Sequence, residues 1–463
     1  MKKRAMRLAV VWAALLSLAG CSKPADPGAP TSGAATPTSA AAGGTLNIVW
    51  AQWDPAKYLQ QLVNDYTKET GVTVKVHEIP WPQFQQKVFV SLSAHQDTYD
   101  IIVGDSQWLG RASENGHYVE LTDWMKEKLD LDSFYAPALE GYGEYPKGSK
   151  KYWAVPCEAD ATGFCYRKDL FEDPNEKAAF KAKYGRDLAV PKTWQELYEI
   201  AEFFNRPDRN LYGVALFLGK AYDSVTMGFQ QVMWCYGGSY GDPQTFQVEG
   251  LLNGPESVTA LDFYSRLARF TPPGSLDFYF ERCLAAYQNG LVAMAMNYFA
   301  FFPGLTNQET NPRFYDKTGY FVSPAGPKGH FVSLGGQGMS ISAYSKQQEQ
   351  AKQFLEWFAK EEVQRKWAEL GGYTCNKKIL ESETFRTATP FNAAFADSLP
   401  LVRDFWAVPE YNQLLDSCQK HWNAAVAGIE EPKAALDATA KEHAAIFQKA
   451  GRAKQATAGS GRS

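Results

Sequence analysis

Histidine is scarce in this chain. The six present among 463 residues (His77, His95, His117, His330, His421, His443) never fall in HExxH or in another pair spaced as metal ligands. No metal or other cofactor is therefore expected. Also missing are GxxxxGK[ST], a GxGxxG behind a strand, and a strand-borne nucleophile elbow, the usual marks of phosphate binding, dinucleotide binding and acyl transfer. Long basic runs are lacking as well. Phosphate backbones are held mainly by clustered Lys and Arg, so nucleic acid is excluded as a partner. No apolar run reaches the roughly 20 residues that a helix needs to cross a bilayer.

What is present is an ordinary globular composition, 45% hydrophobic and 21% charged, with 13 Trp, 24 Tyr and 28 Phe. That many rings can fill a core and still line a concave surface. Lys2, Lys3, Arg4 and Arg7 precede the apolar run Leu8 to Ala19, which reads as an export signal over residues 1–20. Leu18-Ala19-Gly20-Cys21 resembles the bacterial lipobox, which puts a lipid on the Cys21 thiol. The competing reading is a soluble secreted protein cut near Gly20. From Ser22 to Gly44, 21 of 23 residues are Ala, Pro, Gly, Ser or Thr, a composition that reads as a tether (21–44). Residues 450–463 read as a second loose tail. Without its signal the chain holds 43 basic against 51 acidic side chains, again unsuited to nucleic acid.

From Thr45 to Lys449 short β-like runs alternate with amphipathic stretches, the pattern of an α/β protein with mostly parallel sheets. Leu46 to Trp50 is strand-like. Asp54-Pro55 starts a helix with Tyr58, Leu59, Leu62, Val63 and Tyr66 on one face, and Gly71 stops it. Thr193 and Glu196 form a capping box. Further helices are predicted over 255–270, 276–289, 346–370, 410–427 and 432–449. About 405 residues exceed one typical core, so two lobes with a cleft between them are expected. In such sheets ligands settle at the carboxyl ends of strands, which points to the loops after Trp50, Val103, Pro156 and Met296.

Glu158 and Asp160 are the best paired carboxylates. Two positions apart on an extended loop they point the same way, which suits neighbouring hydroxyls better than the opposite sides of a glycosidic bond. An exported carbohydrate-active enzyme using these two acids is nevertheless a competing reading. Rings gather near the same loops: Trp50, Trp53, Trp81, Trp108, Trp153, Trp234 and the run Tyr298-Phe299-Ala300-Phe301-Phe302. Ring faces beside carboxylates and amides fit a ligand rich in hydroxyls. Gly335-Gly336-Gln337-Gly338 reads more readily as a tight strand turn than as an anion cradle. Beyond Cys21 there are Cys157, Cys165, Cys235, Cys283, Cys375 and Cys418 without CxxC spacing; in an oxidising compartment these allow up to three disulfides, or stand as buried free thiols.

The block Lys151-Tyr152-Trp153-Ala154-Val155-Pro156, Asp160 and Tyr166-Arg167-Lys168-Asp169-Leu170-Phe171 is the most specific of several ordered matches. Tyr236-Gly237-Gly238, Asn289-Gly290 with Ala293 to Met296, Gly335-Gly336 leading to Ile341-Ser342, and Ala351 to Phe358 follow it. Together they resemble the solute-binding lipoproteins of bacterial ABC importers, the family of maltose-binding-type sugar carriers, over residues 45 to 449. The resemblance implies a two-lobed periplasmic-binding-protein-like type II fold with a ligand cleft between lobes. One lobe would be 45–155 plus 336–372, the other 156–335 plus 373–449. It further implies a monomeric, non-enzymatic protein outside the cytoplasm, lipid-anchored to the membrane, which closes on a sugar or polyol and passes it to the permease subunits. A sensory subunit that presents its ligand to a receptor is the remaining alternative. Matched by position, Gln52, Trp53, Asp105, Gln107, Trp108, Asp160, Tyr298, Phe299, Gly336 and Gln337 would face ligand, with Glu158 added from the carboxylate pair. Tyr298 to Phe301 replaces the Gly-Pro-Trp segment of many relatives. Cys157 and Cys375 stand near the two presumed crossings, where a bond between them would tie the crossing strands.

Overall fold

The computed structural model describes residues 44–452. The signal, Cys21, most of the tether and the last eleven residues lie outside the described residues. Strand and helix alternate from the first described residue onward: β1 (Thr45–Ala51), a helix Asp54–Thr70, β2 (Thr73–Ile79), a helix Trp81–Ser93 and β3 (Ile101–Asp105). The first helix starts at Asp54-Pro55 as its sequence requires, because a ring-locked φ and no N–H suit the first turn. It ends on Gly71, whose φ of 76° is the left-handed cap that glycine adopts without strain. Leu59, Leu62, Val63 and Tyr66 are buried against the sheet, and each fully buried side chain of this size contributes roughly 1.5–3 kcal/mol.

Six further strands follow: β4 (Val155–Arg167), β5 (Tyr212–Ala215), β6 (Val292–Tyr298), β7 (Thr318–Val322), β8 (Val332–Ile341) and β9 (Val402–Arg403). The sheet runs β2-β1-β3-β8-β4-β6-β5, with β7 also on β4 and β9 on β8. The expectation of a mostly parallel sheet needs correcting. The pairs β1–β2, β1–β3, β5–β6 and β8–β9 are parallel, but β3–β8, β4–β8, β4–β6 and β4–β7 are antiparallel. β4 enters after a long excursion from β3, and β8 follows β7 through a loop of nine residues without a helix, so no β-α-β handover fixes the direction of either.

The 13-residue β4 joins the two ends of this arrangement. Val155 to Ala161 pair with β8, and Thr162 to Arg167 pair with β6 and β7. One extra residue, Cys157, sits between Pro156 and Glu158 as a bulge. Residues 156–160 are thus strand, not the loop expected from sequence. Gly335 to Gly338 is likewise no turn but the middle of β8.

Helix expectations fare well where periodicity is long. Pro432–Lys449 and Tyr411–Val426 form as expected, and the Thr193 capping box is present in full. Two differ. The stretch 346–370 is two helices, Gln348–Phe358 and Glu361–Glu369, parted where Lys360 turns extended. The helix expected from Leu276 starts only at Phe280, because Tyr279 is extended. The described chain continues past Lys449 to Arg452, whose guanidinium pairs with Glu410 at 2.6 Å and Glu114 at 2.8 Å, so 450–452 are held rather than loose.

Candidate functional site

A cavity opens at the carboxyl ends of β1 and β3, over the crossing of β4 and β8, and encloses about 640 Å³ of empty space including its mouth. The β1 loop supplies Gln52 and Trp53, and the segment after β2 supplies Trp81. Asp105 and Gln107 come from the end of β3, Asp160 from β4, and Leu334 to Gln337 from β8. Facing them are Asp223, Tyr279, Phe280, Glu281, Tyr298 and Phe301.

The rings form a continuous wall. Trp53 stands edge-on to Trp50 (centroids 5.7 Å apart), stacks with Trp81 at 6.0 Å and meets Phe301 at 6.3 Å; Phe301 stacks on Phe280 at 4.6 Å. Trp50 does not line the cavity. It is fully buried, and its indole N–H donates to Gln337 Oε1, fixing that amide at the cavity floor. Tyr298 donates to the Leu334 carbonyl at 3.1 Å. Gly335 lets the Tyr298 ring approach, since a Cβ there would lie 2.6 Å from it. Gly336 has a φ of 89°, and a Cβ on it would run into the Glu158 carbonyl and lie 2.6 Å from the Tyr142 hydroxyl.

Electrostatically the site is one-sided. Asp105 accepts from the Ser106 hydroxyl (3.2 Å), the Gln107 N–H (3.4 Å) and the Tyr222 hydroxyl (3.3 Å). Burial, reinforced by Asp404 nearby, still pushes its carboxyl up to about 7. Asp160, 2% exposed, accepts from the Ala161 N–H at 2.8 Å and is pushed up to about 8 by burial. Asp223, just before the buried helix Ser224–Cys235, accepts from the Tyr279 hydroxyl, and its burial, with Asp105 nearby, raises it well above the carboxylate range. Three groups are buried and without partners: Gln107 Oε1 and the indole nitrogens of Trp53 and Trp81. Unpaired polar atoms in a dry site cost about 1–3 kcal/mol each, so these are positions where a ligand gains.

Eight expected residues line this cavity: Gln52, Trp53, Asp105, Gln107, Asp160, Tyr298, Gly336 and Gln337. Three do not. Trp108, 1% exposed, is wedged between Phe84 and Phe89 and donates to Tyr222, so it supports the wall from behind. Phe299 packs on Gly163, Phe302 and Phe395 in the core. Glu158 is fully buried away from the cavity with both carboxylate oxygens unpartnered. Its burial, with Asp160 beside it, drives its carboxyl well above the ordinary value.

Trp81, Asp223, Tyr279, Phe280, Glu281 and Phe301 were not among the expected contacts. Trp81 follows a strand, and Phe301 belongs to the aromatic run, so both had a local signal. Asp223, Tyr279 and Glu281 had none, since only tertiary packing brings those helix starts to the cleft. The six described cysteines are all free and buried. Cys165, Cys235 and Cys283 lie 3.3–3.6 Å from main-chain carbonyls, and Cys418 lies 3.5 Å from His443. The disulfide alternative, including a Cys157–Cys375 bond, is thus not realised. One G-x-S-x-G match does occur, Gly237-Gly238-Ser239-Tyr240-Gly241, but a helix rather than a strand precedes it, so it is no nucleophile elbow. Among the described residues no group of three or more His, Cys, Asp or Glu is placed to hold a metal, and no helix is long and apolar enough to cross a membrane.

Residues 50–365 match the model of the bacterial extracellular solute-binding protein family. The chain belongs to that family. A relative in Sinorhizobium fredii, described as a "probable amino-acid ABC transporter periplasmic-binding protein", is 25% identical over 80% of this chain and 82% of its own length. The mannitol-binding protein of Pseudomonas aeruginosa is 26% identical over 71% of this chain and 77% of its own. Among solved structures, an ABC transporter solute-binding protein of Agrobacterium radiobacter in complex with ribitol is 28% identical. It superposes with a TM-score of 0.75 over 88% of this chain and all of the other. The solute-binding fold is thus the two-lobed, periplasmic-binding-protein-like α/β architecture, and family members are transport binding proteins made for export.

Proposed function

We propose that this solute-binding protein captures a polyol or a small sugar in the cavity over the β4–β8 crossing and delivers it to the permease of an ABC importer. The observation that carries the reading is the cavity's lining: indole and phenyl faces beside carboxyls and amides, supplied by segments from both sides of the crossing. Rings stack on the apolar faces of a carbohydrate while the carboxyls and Gln107 orient its hydroxyls. The relative named as a mannitol-binding protein and the neighbour solved in complex with ribitol support the same class. Closure works as a population shift: a ligand touching both sides favours the closed form by its differential affinity, and the permease reads that form.

Lobes at 45–155 plus 336–372 and 156–335 plus 373–449, a lipid on Cys21, a monomeric state and an anchored, extracytoplasmic location complete the proposal. Enzymatic use of Glu158 with Asp160 is disfavoured because only Asp160 reaches the cavity. The test is a thermal-shift screen of the full-length protein in detergent against polyols, sugars and amino acids. A ligand at 100 times its Kd stabilises by about 2.7 kcal/mol, enough to raise the melting temperature measurably. A response to amino acids alone, with none to carbohydrates, overturns the substrate class.

A further inference from the structure

The carboxyls of this cavity have no basic counterpart. Asp105, Asp160, Asp223 and Glu281 line it, and no lysine, arginine or histidine does. Asp160 and Asp223 are buried, and the hydroxyl of Tyr279 and the Ala161 N–H are neutral donors that leave the charge in place. An ionised carboxylate withdrawn from water without a counter-charge costs several kcal/mol, so the empty site takes up protons instead. Independently, Gln107 is 2% exposed, lines the cavity, and leaves Oε1 with no donor. Around these acceptors stand the rings of Trp53, Trp81, Phe280 and Phe301, and aromatic rings attract a cation through their quadrupole.

We infer that the preferred ligand is a hydroxylated molecule carrying an ammonium group, an amino sugar or amino polyol, whose positive charge lies among Asp105, Asp160 and Asp223. This rests on the carbohydrate reading above and narrows it. A neutral polyol can satisfy hydrogen bonds here but brings no counter-charge to a carboxyl that ionises. An ammonium ion supplies the counter-charge and donates to several acceptors at once. Because Asp160 and Asp223 are buried, this attraction is more weakly screened by salt than a surface ion pair.

The experiment compares matched pairs on the full-length protein by titration calorimetry at pH 7: glucamine against sorbitol, and glucosamine against glucose. The amine of at least one pair is expected to bind at least tenfold tighter than its neutral partner. Asp223→Asn and Asp105→Asn should each reduce that ratio while leaving the circular dichroism spectrum unchanged. Where variants fail to fold, the wild type still decides. Binding the amine should release protons from the raised carboxyls, giving an enthalpy that depends on the buffer's ionisation heat, whereas the neutral partner should not. Of the groups facing those carboxyls, Tyr222, Tyr279 and Tyr298 are phenols already paired, and Asp404, pushed up to about 6 by burial, accepts from the Ser106 hydroxyl at 2.7 Å; none of them is a cation. Equal or tighter binding of the neutral member in both pairs overturns the inference and leaves the carbohydrate reading standing. So does binding of other neutral sugars with no affinity for any of the four. Binding of hydroxyl-free amines alone overturns the carbohydrate reading, and the inference with it.

Discussion

The two sides of the cavity come from different kinds of segment. On one side Asp105 ends β3, paired with Gln337 of β8, while Gln52, Trp53 and Gln107 sit in the turns that follow β1 and β3, a residue or two from those strands. On the other, Asp223, Tyr279 and Phe280 sit where helices begin, and Tyr298 and Phe301 where β6 gives way to a short helical turn. The first side presents the stacked indoles of Trp53 and Trp81, with unpartnered nitrogens. The second presents phenol and phenyl rings whose polar atoms are already paired, Tyr279 to Asp223 and Tyr298 to Leu334. A site made this way has one side with open hydrogen-bonding capacity and one that is mostly prearranged.

If the open side carries the affinity, Trp53→Ala should cost the most, about 2 kcal/mol or more, roughly 30-fold in Kd, against any ligand found in the screen. An equal loss on Phe301→Ala would erase the distinction between the sides. Gly336→Ala should lower stability by about 2 kcal/mol in denaturant unfolding, since a side chain at that φ is strained and meets the Glu158 carbonyl. An unchanged midpoint would mean that the β4–β8 crossing is softer than its packing indicates.

The next effect is on pH. Asp105 at about 7 and Asp160 at about 8 lie above their unfolded values, so between roughly pH 4 and 8 the folded chain binds more protons than the unfolded one. Their contribution to stability is complete at the acid end and lost as pH rises through that window. These two groups favour a higher melting temperature at pH 5 than at pH 8, against the opposite pull of buried His443, lowered to about 4, so Asp160→Asn should shift the melting temperature at pH 8 upward relative to that at pH 5. The smallest change is expected from Trp108→Phe. It removes one hydrogen bond to Tyr222, about 1 kcal/mol of stability, and leaves affinity within a factor of two because the ring faces away from the cavity.

What could be read from sequence divides along the same line as the cavity. Strand-end residues such as Trp53, Asp105 and Gln107 were legible because a short strand followed by a turn places its next few side chains at one edge of a sheet. Asp160 was legible as a residue but not in its setting, since the Cys157 bulge and the continuation of β4 depend on partners β8 and β6, more than a hundred residues away. Phe299 and Trp108 look, one residue at a time, no different from ring contacts. Only their packing, on Gly163 and between Phe84 and Phe89, makes them core. Tyr279 and Phe280 were missed because a single residue in extended conformation delays a helix that periodicity would start at Leu276. Fold class, set by long alternating patterns, survived such local errors.

The switch of partners along β4 has a mechanical meaning. Ala161 closes one ladder and Thr162 opens the other, so a bend between the two halves must be taken up next to Asp160. On the proposed closure, a guest held by that carboxyl would sit at the fulcrum, where displacement is least. If the lobes close as proposed, gripping at the pivot lets capture begin before the arms swing in, and their travel then reports that the pivot is occupied.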